Sequence, residues 1–199
     1  KSSTNQAPRK ITKGEDGEPV NIKLELRSLA DVGLVGFPNA GKSTFLNTVS
    51  SAKPKIADYP FTTLRPHLGT IKYSDNSFVI ADIPGIIEGA SDGHGLGIKF
   101  LKHISRTGIL LFFLEAFSEI SVQDQFLKLK KELGDFSEKL LEKEFYIVVT
   151  KIDLIDEETR SETLNTFTAG EYANIFGISS VTGEGVKELL DDISRKIFI

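Results

Sequence analysis

The sequence has 199 residues, 40% of them hydrophobic, enough for one compact domain with a sizeable core and one extra segment. A net charge of −4 argues against nucleic-acid binding through a globally basic surface, and the absence of Cys excludes disulfides, Cys-ligated zinc and thiol catalysis. The longest aliphatic and aromatic run, Ile109 to Leu114, is too short to span a bilayer, and no signal segment opens the chain. A chain without Met that starts at Lys1 reads as a piece of something longer; the expectation is a cytoplasmic monomer with no membrane segment.

In chain order, Lys1 to Pro19 is polar and interrupted by Pro8, Gly14, Gly17 and Pro19, so it reads as a solvated linker. Asn21 to Arg27 alternates, with Ile22, Leu24 and Leu26 on one side, as an extended lead-in would. We place the domain boundary here, with residues 1–28 as linker or tail of a preceding module and residues 29–199 as the functional domain.

Ala30 to Val35 is a buried strand, and Thr44 to Val49 continues as a helix. Between them Gly36-Phe37-Pro38-Asn39-Ala40-Gly41-Lys42-Ser43 fits G-x-x-x-x-G-K-[ST] at every constrained position. Glycines let backbone N–H groups turn inward, the helix N-terminus adds partial positive charge, and Lys42 adds a full one, which together make a phosphate cradle. Ser43 is placed to ligate Mg²⁺ beside the β- and γ-phosphates.

Lys53 to Pro66 carries Pro54, Pro60 and Pro66 and predicts no regular element. Its Phe61, Thr62, Thr63, Leu64 and Arg65 lie where a nucleotide-sensing switch belongs, with the Thr63 hydroxyl completing a Mg²⁺ shell. Leu68 to Tyr73 and Phe78 to Asp82 predict a hairpin around Ser74 to Ser77. Asp82 ends its strand and can hold Mg²⁺ through water; Ile83 and Pro84 follow, and Gly85 can offer an unobstructed N–H to a γ-phosphate.

Ser91 to Gly97 is a glycine-dense loop, and a helical stripe follows from Ile98 to about Thr107. Ile109 to Leu114 and Phe145 to Thr150 are buried strands. Ser121 to Leu133 and Ser137 to Lys143 read as amphipathic helix with a break near Gly134. A helix over Glu157 to Ala169, a strand over Ile175 to Ile178 and a helix over Val186 to Ile197 complete the chain. This alternation predicts an α/β, three-layer P-loop NTPase sandwich: a mostly parallel six-stranded sheet with one antiparallel hairpin strand, and helices on both faces.

Thr150, Lys151, Ile152 and Asp153 follow a strand end. A carboxylate there accepts two hydrogen bonds from guanine N1–H and N2–H₂, a donor pair that adenine lacks. Asp153 is therefore the candidate for guanine preference, and the Lys151 stem can cover the face of the base; the alternative for Asp153 is a helix N-cap. Ser179, Ser180 and Val181, after the last strand, can donate a backbone N–H to the guanine O6.

Gly36 to Ser43, Thr63, Asp82 to Gly85, Thr150 to Asp153 and Ser179 to Val181 resemble the five ordered motifs of translation-factor-class GTPases, with Thr44 adjoining the first of them as a further nucleotide-site candidate. More narrowly, Ala30 to Thr44, Pro54 to Leu64 and Asp82 to Ala90 strongly resemble the Obg (CgtA) family, and Thr4 to Arg9 is similar to the tail of its glycine-rich N-terminal domain. The resemblance implies a Mg²⁺-dependent GTPase acting on the large ribosomal subunit during assembly and stress response, with Lys42, Thr63 and Gly85 as catalytic residues. Ile86 stands where Ras-type GTPases have a water-orienting Gln, which implies slow intrinsic hydrolysis and keeps open a binding module active only with a partner. Asn39 resembles the Asn with which some GTPases hold K⁺, and Thr150 stands where the fourth motif usually has Asn. His94 and His103 are left out of the site, and Glu115 to Glu132 matches the family poorly.

Overall fold

A computed structural model describes residues 30–56, 66–82, 106–168 and 172–198, together with residues 14, 17, 19 and 20. Within it are seven strands: β1 (Ala30–Gly36), β2 (Lys55–Ile56), β3 (His67–Tyr73), β4 (Asn76–Asp82), β5 (Thr107–Glu115), β6 (Phe145–Thr150) and β7 (Ile175–Ile178). Four helices accompany them: α1 (Lys42–Val49), α2 (Val122–Phe136), α3 (Glu157–Thr168) and α4 (Val186–Phe198). The sheet order is β2-β3-β4-β1-β5-β6-β7. From β4 to β7 every pair is parallel, whereas β3 runs antiparallel to β4.

This is the mostly parallel six-stranded sheet with one antiparallel hairpin strand that the sequence predicts, extended at its edge by the two-residue β2. That strand corrects the expectation of no regular element between Lys53 and Pro66: Lys55 pairs with Leu68 and Ile56 with His67. Two residues beside Pro54 carry no period, so only the neighbouring strand reveals them.

The side-chain alternation of β5 divides the core between two faces. Leu110, Phe112 and Leu114 pack with Phe126, Leu129 and Leu133 of α2 and Phe167 of α3. Ile109, Leu111 and Phe113 pack with Phe45 and Leu46 of α1 and Leu189 and Ile193 of α4. A strand covered on both sides must be apolar throughout, which is why Ile109 to Leu114 lacks polar interruptions. Phe45 meets Phe113 edge-to-face at 5.2 Å, and Phe112 meets Phe126 in the same way at 5.2 Å, so on each face an aromatic contact joins β5 to the helix that covers it.

Helix α2 overturns the expected break near Gly134, because it runs through that residue to Phe136. A Cβ at Gly134 would lie 3.0 Å from Leu141 Cδ1, so the glycine admits the chain returning through the 3-10 turn Glu138–Leu140. The turn between β3 and β4 is also tighter than expected: Tyr73 pairs with Asn76, and Ser74 takes a φ of 51°. The expected strand over residues 21–27 and the expected helix as far as residue 105 lie outside the described residues, but that helix does not extend to Thr107, which opens β5 instead. Among the described residues no helix is long and apolar enough to cross a membrane.

β1 has β4 on one side and β5 on the other, so the chain leaves it in one direction and later returns in the other. The carboxyl end of β1 is therefore a topological switch point, where α/β sheets open a crevice for ligands.

Candidate nucleotide-binding site

The loop after β1 turns sharply into α1 through two left-handed residues, Asn39 at φ 64° and Gly41 at φ 89°. Asn tolerates that region and glycine enters it without steric penalty, so the motif's second glycine is required by the backbone itself. Gly41 is the N-cap of α1 and no side chain caps the helix. The first N–H groups of α1 thus remain available to an anion. The Lys42 ammonium folds back over the loop and donates to Gly36 O at 2.7 Å and Phe37 O at 2.8 Å. Burial pulls its pKa below the ordinary lysine value, and the charge of Asp82 pulls it partly back. A cleft of about 340 Å³ opens here, lined by Asn39, Gly41, Lys42, Ser43, Thr44 and Lys151.

Asp82 ends β4 beside this cleft and is 3% exposed. Its Oδ2 accepts a hydrogen bond from Ser43 Oγ at 2.5 Å, while its Oδ1 is buried without a partner among the described residues. A buried carboxylate oxygen left unpaired costs on the order of 1–3 kcal/mol or more. A hydrated cation beside Ser43 would satisfy it, so this donor set of a hydroxyl and a carboxylate fits Mg²⁺, a hard ion that takes oxygen ligands and keeps several waters.

Strand β6 brings the second cluster to the same end of the sheet. Thr150 is buried, and its hydroxyl lies 2.9 Å from Ala40 O of the phosphate loop and 3.2 Å from Leu114 O. The side chain that differs from the usual motif thereby ties strand β6 to the loop. Thr150→Val keeps the shape and removes the hydroxyl, leaving Ala40 O without this bond. The expected result is a loss of about 1–2 kcal/mol in unfolding free energy, read from denaturant titration, with Thr150→Ser close to wild type.

Lys151 takes a left-handed φ of 59° and opens the 3-10 turn Ile152–Leu154. Asp153 is exposed in that turn. It is not a helix cap, because Asp156 serves α3, accepting from Thr159 N at 2.8 Å, and hydrogen bonding to that N–H holds the Asp156 carboxyl below its ordinary pKa. After β7, Ser179 is fully buried and its backbone N–H reaches Glu184 O at 3.0 Å, whereas Val181 is 82% exposed at the rim. Arg160 of α3 pairs with Glu184 at 2.5 Å, and Thr48 of α1 donates to Ser180 O at 3.2 Å, so this turn is tied to two helices.

The structure therefore gathers Gly36 to Thr44, Asp82, Thr150 to Asp153 and Ser179 to Val181 beyond the carboxyl ends of β1, β4, β6 and β7. Phe61, Thr62, Thr63, Leu64, Arg65, Ile83, Pro84 and Gly85 lie outside the described residues. Two residues to which the sequence assigns no role stand behind the cleft-lining Lys151: Glu115, paired with Lys151, and the buried Gln125, hydrogen-bonded to the Glu115 backbone. Their spacing carries no motif. A glutamate ending an otherwise apolar strand is the one signal that marks Glu115. A larger hollow of about 670 Å³ lies at the opposite end of β4, between the hairpin and α4, away from the glycine loop.

Residues 31–151 match the family model described as 50S ribosome-binding GTPase. GTPase Obg of Chlorobium chlorochromatii is 51% identical over 98% of this chain. The chain belongs to the Obg family of GTPases. GTPase Obg of Rickettsia akari is likewise 50% identical over 96% of the chain. The chain spans 56% of the Chlorobium protein and 57% of the Rickettsia one, so it covers somewhat over half the length of these Obg relatives. Among solved structures, the G domain of the Thermotoga maritima FeoB iron transporter superposes with a TM-score of 0.59 at 24% identity, covering 82% of this chain and 96% of that one. Aquifex aeolicus Era bound to GDP·AlF₄⁻ superposes with a TM-score of 0.61 at 23% identity, covering 83% and 56%. At those identities the two structures bear on the fold alone, and the fold they share with this Obg-family chain is that of a P-loop GTPase.

Proposed function

We propose that this chain is the G domain of an Obg-type protein, binding GTP with Mg²⁺ in the cleft and hydrolysing it slowly to GDP and phosphate. The observation that carries this reading is the meeting of the Lys42 loop, the Ser43–Asp82 pair and the Thr150–Asp153 turn at one end of the sheet. Lys42 and the N–H groups of the loop and α1 hold the β- and γ-phosphates and offset the charge that moves onto the bridging oxygen as the γ-phosphoryl group is transferred to water. Ser43 and, through water, Asp82 would hold Mg²⁺, with Thr63 as its third protein contact; bound Mg²⁺ supplies charge neutralisation to the phosphates. Gly85 receives the γ-phosphate through its N–H. Phe61, Thr62, Leu64, Arg65, Ile83 and Pro84 belong to the segments that respond to it.

On the base side Asp153 accepts the two guanine donors, Lys151 covers the ring, and the Ser179–Val181 backbone meets O6. Ile86 cannot orient a water, so slow turnover is expected; Asn39 would hold a K⁺ that would supply positive charge beside the phosphates, and a partner would supply what is still missing. That partner is the large ribosomal subunit, an assignment supported by the description of the matching family model and by the Obg relatives. The protein acts there as a cytoplasmic, monomeric switch in assembly and stress response. Ile86 also supports a second reading, a guanine-nucleotide module with negligible turnover unless docked.

Multiple-turnover GTP hydrolysis in K⁺ and in Na⁺, with and without large ribosomal subunits, separates the two readings. A measurable basal rate raised by K⁺ or by subunits supports the enzyme; GTP binding with turnover only on the subunit supports the module. Equal rates in K⁺ and Na⁺ remove the role of Asn39. For the metal site, Ser43→Ala is expected to raise the Mg²⁺ concentration that half-saturates hydrolysis by about tenfold or more. An unchanged Mg²⁺ titration would remove Ser43 from that role.

A further inference from the structure

We propose that Glu115 and Gln125 are positioning residues for the base half of the cleft, acting through Lys151; this rests on the reading of the cleft as a guanine-nucleotide site. The chain of contacts starts in the core. Gln125 of α2 is 2% exposed, and its amide makes three hydrogen bonds. Its Oε1 accepts from Glu115 N at 2.9 Å, and its Nε2 donates to Glu115 O at 2.9 Å and to Ile120 O at 2.8 Å. A single buried side chain thus satisfies both backbone polar groups of Glu115 and closes the loop that follows β5. An amide is the side chain that can do this, because the site needs an acceptor and two donors in one group.

Glu115 is also pinned from the other side. It lies opposite Thr150 in the β5–β6 register, and Ala116 N donates to Thr150 O at 3.0 Å. With its backbone held in this way, its carboxylate reaches Lys151 Nζ at 2.5 Å, with the two side chains only 22% and 32% exposed. Lys151 lines the phosphate-loop cleft and has a left-handed backbone that few residues adopt. A lysine carries one of the largest side-chain entropies, and left alone it would have to be immobilised each time a base bound beneath it. The pair with Glu115 fixes it beforehand.

The sign of the effect distinguishes this role from simple electrostatics. Glu115 places a negative charge near a cleft that takes a polyphosphate, so if the carboxylate acted only through its charge, Glu115→Gln would tighten nucleotide binding. As a positioning residue it must do the opposite.

The experiment is a calorimetric titration of the 199-residue chain with GDP and Mg²⁺, comparing wild type, Glu115→Gln, Lys151→Met and the double variant. Glu115→Gln is expected to weaken GDP binding about three- to tenfold, with the nucleotide-free melting temperature unchanged. In the Lys151→Met background the same substitution is expected to have no effect, because the group it positions is gone. Gln125→Leu should weaken binding in the same direction, and unaltered GDP affinity in that variant would remove Gln125 from the role. Tighter or unchanged binding by Glu115→Gln, or an equal loss in both backgrounds, overturns the proposal. Failure of the wild type to bind GDP would instead overturn the nucleotide reading on which it rests.

Discussion

Lys42→Ala is expected to leave no more than about one hundredth of the wild-type GTP hydrolysis, the loss that follows when a preorganised charge on a developing oxyanion is removed. Two observations make this a loss of chemistry rather than of structure. Burial already disfavours the charged form of Lys42, so removing the ammonium relieves a penalty while two loop carbonyls lose their donor. These effects oppose each other, and the nucleotide-free protein should melt close to the wild-type temperature. What disappears is the rise in melting temperature on adding GTP, because that rise measures binding to the folded state alone. Lys42→Arg should not restore activity, since a broad planar fork cannot take the place of a compact ammonium arched over Gly36 and Phe37. Wild-type turnover in Lys42→Ala, measured by phosphate release, would remove the loop from the mechanism.

Asp153→Asn should swing the preference between GTP and XTP by about 10⁴-fold, the scale seen when a site built around a hydrogen-bonding pattern meets a base that mismatches it. An amide at this position offers one acceptor and one donor group, which matches N1–H and the C2 carbonyl of xanthine and mismatches the two donors of guanine. The carboxylate is exposed in the 3-10 turn, and the capping role falls to Asp156, so the substitution should leave the fold undisturbed. Competition of GTP and XTP for a fluorescent guanine nucleotide measures the ratio directly. An unaltered ratio would exclude Asp153 from base recognition.

Where the sequence could be read, its constraints were local. The phosphate loop sits between a buried strand and a helix, and each required residue answers to its own backbone: Gly41 to a positive φ, Lys42 and Ser43 to the first turn of α1. The continuous apolar runs of β5 and β6 likewise announce strands covered on both faces. Long-range contacts were not legible. Thr150 meets Ala40 across 110 positions of sequence, and nothing in either residue's neighbourhood foretells that a hydroxyl will hold a loop carbonyl. Gln125 sits in a helix whose polar residues mostly face solvent, and only the fold turns this one inward. Gly134 reads as a breaker by propensity, but packing against Leu141 outweighs the roughly 1 kcal/mol that glycine costs a helix.

The placement of β1 also bears on the order in which the protein forms. This strand emerges first among the described elements, yet its partners are residues 80–82 on one side and 107–113 on the other. Loop closures of that length make assembly slower than in a fold of local contacts, and an apolar strand waiting for its neighbours is exposed to mispairing. During synthesis the phosphate loop can bend early, but it cannot be held in place until β5 has left the ribosome. Nascent chains truncated before residue 107 should then fail to retain GDP. Chains that lack only β7 and α4 would still have the central strands from which the loop is hung.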